Sequence, residues 1–290
     1  MERIRSKLIR LLHRPDATWN SVGRILKAEP LPEPIASLPA LKFLPPLKDS
    51  ATADLTQADH KDETLPSLLQ QYKARNISII TILDPCYPSL LKQIYQPPWA
   101  LFAIGDLSLL NATPKLAVVG SRQVSDYGKN AIRLMFPELI EKGTIIVSGL
   151  AKGVDTVAHE CAIRNGGKTI AVIAGGLYHV YPEENRKLAF EMMKSQLVLS
   201  EHPPGTKPAR WHFPMRNRII SGLSRGTFIV EAKNKSGSLI TANYAVHEGR
   251  DVFSLPGNIF SPFSAGTNEL IQQGAKLVIK AEDILEELRY

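Results

Sequence analysis

From Lys115 onward, short runs of Val, Ile, Leu and Ala that end at or near glycine alternate with longer segments whose apolar residues recur every three or four positions. The short runs fall at 116–119, 144–147, 169–174, 196–200, 227–230 and 251–254, and the longer segments at 127–142, 154–165, 183–195 and 239–248. A strand that is apolar along its whole length has no face to spare for water, so it must be covered on both sides. Strands of that kind alternating with amphipathic helices specify a doubly wound α/β domain with a mostly parallel sheet.

The preceding residues follow a different rule. Two short helical patterns, at 2–14 and 21–28, are followed by Pro30, Pro32, Pro34, Pro45 and Pro46, a polar stretch at 48–63, and a third helical pattern at 65–75. This predicts a small helical domain over residues 1–75 and an α/β domain over 76–290, a size that suits one large and one small domain. A short strand is expected at 77–82, with an extended, proline-bearing lead at 84–103.

In such a sheet, ligands sit beyond the carboxyl ends of the strands. Three of those ends carry glycine: Gly120-Ser121-Arg122, Ser148-Gly149-Leu150-Ala151-Lys152-Gly153 and Ala174-Gly175-Gly176. Any one is explained by a tight turn, but three at one edge with Arg122 and Lys152 among them make an anion site. Between two of the strands lies Phe213-Pro214-Met215-Arg216-Asn217-Arg218-Ile219-Ile220-Ser221-Gly222-Leu223, read as a loop, which follows Arg210-Trp211-His212. From Lys207 to Lys235 there are seven basic residues, Lys233 among them, and one acid, Glu231. Cations beside aromatic faces suit a flexible polyanion with unpaired bases. A net charge of +7 points the same way, with an anionic membrane surface as the other partner class it admits.

Other chemistries find less support. The first turn puts Arg122 where a dinucleotide fingerprint needs its second glycine, and no phosphate-binding loop of the nucleoside-triphosphate type occurs. Asp155 and His159 share a helix at a spacing that a metal or acid–base pair could use, but a capping aspartate and a packing histidine explain them better. No serine-nucleophile elbow is present, so no catalytic residue, metal or cofactor is expected. Cys86 and Cys161 lack ligand-spaced partners and read as reduced, which implies a cytoplasmic protein. No apolar stretch reaches the length of a membrane-crossing helix, and the first fourteen residues mix cations with aliphatics too closely for a signal peptide.

The glycine turns, Ala158-His159, Tyr181-Pro182 with Asn185, the 213–223 run, Ser236-Gly237-Ser238-Leu239-Ile240-Thr241 and Pro256-Gly257 occur in the order of the DNA-processing protein A family (DprA, also called Smf), which this chain resembles from about residue 85 to 288. The resemblance implies an extended Rossmann fold behind a sterile-alpha-motif-like helical domain. It further implies single-stranded DNA as ligand, RecA recombinase as the protein loaded onto it, and natural transformation as the setting. A single-strand-binding protein is a further implied partner, and enzymatic activity is not implied.

Carried onto this chain, the resemblance makes Arg122 a phosphate contact and Phe213 with its basic neighbours the rest of the pocket. The DNA-binding set is then Ser121, Arg122, Gly149, Lys152, Gly175, Gly176, Arg210, Phe213, Arg216, Asn217, Arg218 and Lys233, with the glycines admitting the strand close to the backbone, although Asn217 could equally bond its own loop backbone and Arg218 could equally be a buried ion-pair partner. A homodimer through 258–284, using Leu270, Ile271, Leu277 and Ile279, is also implied. The chain ends soon after Ala281-Glu282-Asp283-Ile284-Leu285, where many members continue into a winged-helix-like domain, so functions of that domain are not expected here. The alternative is a nucleotide-processing enzyme of the phosphoribohydrolase type, whose Gly-Thr pair and glutamate after the paired glycines are missing at 174–179.

Overall fold

The apolar runs assemble into one nine-stranded sheet in the computed structural model, which describes residues 2–14, 16–28, 31, 41 and 64–288. Helices α1 (Glu2–Leu12), α2 (Trp19–Lys27) and α3 (Thr64–Ala74) lead into strand β1 (Ser78–Thr81), a one-turn helix α4 (Ser89–Lys92) and strand β2 (Ala100–Gly105). Then follow β3 (Lys115–Val119), α5 (Asp126–Glu141), β4 (Ile145–Ser148), α6 (Val154–Arg164), β5 (Thr169–Ile173), α7 (Arg186–Ser195) and β6 (Leu197–Ser200). The chain finishes with α8 (His212–Gly222), β7 (Gly226–Ile229), α9 (Gly237–His247), β8 (Asp251–Ser254), α10 (Ala265–Gln272), β9 (Lys276–Leu277) and α11 (Glu282–Leu288).

The strand order is β1-β2-β6-β5-β4-β3-β7-β8-β9. From β6 to β9 all neighbours are parallel, whereas β2 pairs antiparallel with β6 and β1 antiparallel with β2. This is the doubly wound, mostly parallel sheet expected from the sequence. Its strands are apolar throughout because alternate residues serve two cores. Leu116 and Val118 of β3 meet Ile132 and Phe136 of α5 with Ala158 and Ala162 of α6, while Ala117 and Val119 belong with Ile219 and Ile220 of α8 and Ala242 and Ala245 of α9. Burying one such aliphatic side chain contributes about 1.5–3 kcal/mol, so moving β3 by one residue would misplace four of them.

The 84–103 segment is more ordered than the extended lead read from its prolines. Pro97 and Pro98 lack the amide hydrogen that pairing needs, but Ala100 to Ala103 beyond them register fully with β1. The N-terminal helices lie against this edge. Arg5 pairs with Asp84 at 3.0 Å and donates to the Ile79 carbonyl at 2.9 Å, while Trp19 stacks on Trp99 with ring centroids 5.0 Å apart. Leu8, Ile25 and Leu26 share an apolar cluster with Ile82, Leu91 and Leu101. Pro30, Pro32, Pro34, Pro45 and Pro46 and the polar 48–63 stretch lie outside the described residues. Both cysteines are free, and among the described residues no helix is long and apolar enough to cross a membrane.

Candidate nucleic-acid interface

The order of strands reverses at β3, whose neighbours are β4 on one side and β7 on the other, so a crevice opens beyond their carboxyl ends. It is a cleft of ≈ 860 Å³ lined by Gly120 to Gln123 after β3, Lys233 and Ser236 to Ser238 after β7, and Phe213, Pro214, Arg216 and Asn217 of α8, with Arg210 and Tyr181 at its walls. A nucleotide enzyme would use the helix N-termini here to hold phosphate. One of them, and the amides of the glycine turn leading into another, are already occupied by the protein's own carboxylates. Glu231 accepts from the Ser125 amide at 2.9 Å and from the Ser125 hydroxyl at the start of α5. Asp155, in the first turn of α6, accepts from the amides of Gly149 at 3.1 Å and Ala151 at 3.3 Å. Helix α9 differs, because Ser236 at its N-cap makes no capping bond to the helix backbone and instead pairs its hydroxyl with that of Ser238 at 2.7 Å.

The cations divide into two sets. Arg122, Arg210 and Lys233 are exposed around the cleft. The Arg122 guanidinium lies 5.7 Å from the centre of the Phe213 ring, which in turn meets Tyr181 edge-on at 5.6 Å. Lys233 donates to Gln123 Oε1 at 3.1 Å and sits 4.7 Å above the Phe263 ring. Ser121 lines the same rim, its hydroxyl accepting from the Gln123 amide at 3.1 Å. Lys152 is exposed but paired with Glu184.

Arg216 is not the exposed loop cation expected, and Arg218 takes the buried ion-pair alternative. The 213–223 run is the body of α8, and both arginines are buried. Arg216, at 7% exposure, donates through Nη1 to the carbonyls of Gly149 and Val172, forming the floor of the cleft between β4 and β5. Burial lowers its guanidinium to about 10, with Asp155 pulling it up and Arg122 pulling it down, so it remains charged at neutral pH. Burial also raises the Asp155 carboxyl, against the opposite pull of Arg216 and the two amides. Arg218 pairs with Glu201 on the side of α8 away from Phe213. Asn217 stands one turn after Phe213 and donates to the Gly237 carbonyl at 3.3 Å, tying α8 to the start of α9.

The glycines serve the protein's own packing. A Cβ on Gly149 would overlap the Arg216 guanidinium, and one on Gly153, where φ is +78°, would overlap the Ser121 carbonyl. Gly175 and Gly176 are buried beneath Pro208 and the carbonyls of Pro203 and Pro204, so what approaches them closely is the 203–208 segment. Tyr181 and Gln123 line the cleft, and the buried Glu231 holds the Ser125 turn at the start of α5; sequence reasoning selected none of the three. For Glu231 a signal existed, since it is the one acid in a basic stretch.

His159 is a packing residue, fully buried with Nδ1 2.7 Å from the Thr169 hydroxyl, and the described residues hold no group of three metal-ligating side chains. Burial lowers its pKa from 6.5 to about 3, and that of His212 from 6.5 to about 4. A histidine depressed in the folded state makes the unfolded chain the better proton binder. Stability is therefore complete above pH 6.5 and is lost as the pH falls toward 3. Chemical denaturation at pH 7.5 and 5.0 should show a loss of about 2 kcal/mol from His159 alone. An unmoved midpoint would place a charged imidazole in the core and contradict this.

The comparisons agree with one another. Residues 78–289 match the model of the family described as DNA recombination-mediator protein A. The DNA processing protein DprA of Bacillus subtilis (strain 168) is 48% identical over 257 residues, covering 86% of each chain. The crystal structure of DNA processing protein A from Streptococcus pneumoniae superposes with a TM-score of 0.73 at 40% identity, over 100% of this chain and 94% of that one. DNA processing protein A of Helicobacter pylori, a protein with a unique single-stranded DNA binding mode, gives a TM-score of 0.66 at 32% identity, over 73% of this chain and 95% of that one. With the doubly wound sheet and this match over most of its length, the chain belongs to the DNA recombination-mediator protein A family.

Proposed function

We propose that this protein binds single-stranded DNA in the cleft at the β3/β7 crevice and loads RecA onto the bound strand in natural transformation. The observation that carries the reading is the pairing of exposed cations with an aromatic face: Arg122 over Phe213, with Arg210 and Lys233 on the rim. Phosphates reach the cations and the open N-terminus of α9, and an unpaired base stacks on Phe213 or Tyr181. The H. pylori relative supports the choice of ligand. Arg216 acts from beneath as a fixed charge in the floor, and Gly149 makes the space that it fills. Lys152 joins the site when it leaves Glu184. The role is binding rather than catalysis, carried out in the cytoplasm. A second copy of the chain pairs through the β9 edge, and a single-strand-binding protein is the competitor on the strand.

The rival nucleotide enzyme has less to work with, because Glu231 and Asp155 fill the places where its phosphate would sit. Gel-shift titrations with single- and double-stranded oligonucleotides of equal length separate the readings. Single strands should bind more tightly, and three phosphate contacts, from Arg122, Arg210 and Lys233, give a log–log salt slope of about −2. Equal affinity for duplex, or a slope near zero, sinks the proposal. RecA assembly on strands covered by single-strand-binding protein should be faster with this protein present.

A further inference from the structure

The aromatic-basic run ahead of α8 contributes one side chain that the cleft does not use. Trp211 is 64% exposed, while Arg210 before it and Phe213 after it both line the cleft. Leaving a large indole in water forfeits the apolar burial that its ring could gain, so an exposed, well-held tryptophan marks a contact surface. It is well held. Its ring meets His212 at 4.0 Å and 74° and His202 at 6.2 Å and 90°, so both imidazoles support its edge.

The backbone beneath the ring is equally fixed. The Gly176 amide donates to the Thr206 carbonyl at 2.8 Å, the Thr206 amide to the Pro203 carbonyl at 2.9 Å, and the Ala209 amide to His212 Nδ1 at 3.1 Å. A platform fixed in advance loses little entropy on binding. Its surroundings are cationic, since residues 205–213 carry Lys207 and Arg210 and no acid, and the nearby Glu201 is taken by Arg218.

We propose that Trp211 is a second base-stacking platform, outside the cleft, which receives the bases of a single strand as it leaves the cleft past Arg210. The inference rests on the reading of the cleft as a single-strand site and extends that site along the backbone. Continuity through Arg210 and the flanking cations select a nucleic acid strand over an apolar protein helix as the occupant.

Intrinsic fluorescence isolates the residue. Of the three tryptophans, Trp19 and Trp99 stack on each other beside the N-terminal helices, which leaves Trp211 as the emitter next to the cleft. Oligothymidylate of about 15 nucleotides should quench wild-type emission, and Trp211→Phe should abolish that quenching while keeping affinity within about threefold. Trp211→Ala should weaken binding of the long oligonucleotide by about tenfold and leave one on the order of four nucleotides within about twofold. Arg122→Ala, acting in the cleft, should weaken both lengths. Loss in Arg122→Ala with no change in Trp211→Ala at either length overturns the second platform and leaves the cleft reading intact. Wild-type protein that binds neither length overturns both.

Discussion

Arg122→Ala should leave the far-ultraviolet circular dichroism unchanged and weaken single-stranded DNA binding by roughly 10- to 100-fold, whatever the sequence of the strand. A charge-assisted contact to phosphate contributes about 1.5–3 kcal/mol, which sets that range. The fold is spared because Arg122 is exposed in the turn after β3 and, among the described residues, makes no ion pair. The loss is uniform because phosphates carry no sequence information. Arg122 also lies against Phe213, so the two residues are coupled. Phe213→Ala added to Arg122→Ala should therefore cost less than the sum of the two changes. Isothermal titration with homopolymer and mixed oligonucleotides measures all of this. Loss of structure, or a loss confined to one base composition, would assign Arg122 a different role.

Leu277→Glu should yield a folded monomer that keeps its affinity for short oligonucleotides and binds long ones about 100-fold less tightly, because the two linked sites of the proposed dimer would no longer act on one strand. The residue stands on β9, the last strand of the sheet, whose outer edge has no partner within the described residues. Leu277 is 44% and Ile279 61% exposed there, with Ile271 half-buried nearby in sequence on α10. An apolar, unpaired edge is a ready surface for a second copy. Leu270 and Val278 belong to the monomer instead, buried in the clusters on the two faces of the sheet. Leu270→Glu is accordingly the contrasting variant, expected to unfold rather than to dissociate the protein. Sedimentation velocity reads both outcomes, and wild-type protein that is monomeric at micromolar concentration removes the interface.

The doubly wound sheet was legible because each central strand is covered on both faces, which writes an uninterrupted apolar run into the sequence. Helix α8 was not legible as a helix. Its buried Arg216 and Arg218 interrupt any apolar stripe, although Pro214 in the first turn and Gly222 at the end are the usual marks of a helix start and stop. A basic run read as facing a polyanion thus hid two charges held inside the protein, one against the Gly149 and Val172 carbonyls and one against Glu201. The glycines misled in a related way. A glycine marks close approach without saying by what, and at Gly149 and Gly175 the neighbours are Arg216 and Pro208. Arg122, Arg210, Phe213 and Lys233, expected together from the sequence, do line one cleft, because cations near an aromatic ring at a strand end have no packing role to draw them elsewhere.

The carboxylates of Glu231 and Asp155, seated at the first turns of α5 and α6, also bear on what the protein ignores. A lone nucleotide brings one cluster of charge and must find its whole affinity in one place, yet the places a fold of this type usually offers it are taken. What remains is spread out: an open end of α9, three exposed cations and a ring. Such a surface rewards contour length, since each added phosphate meets a new weak contact. On the proposed single-strand reading, free nucleotides should therefore compete poorly with a polymer for the cleft.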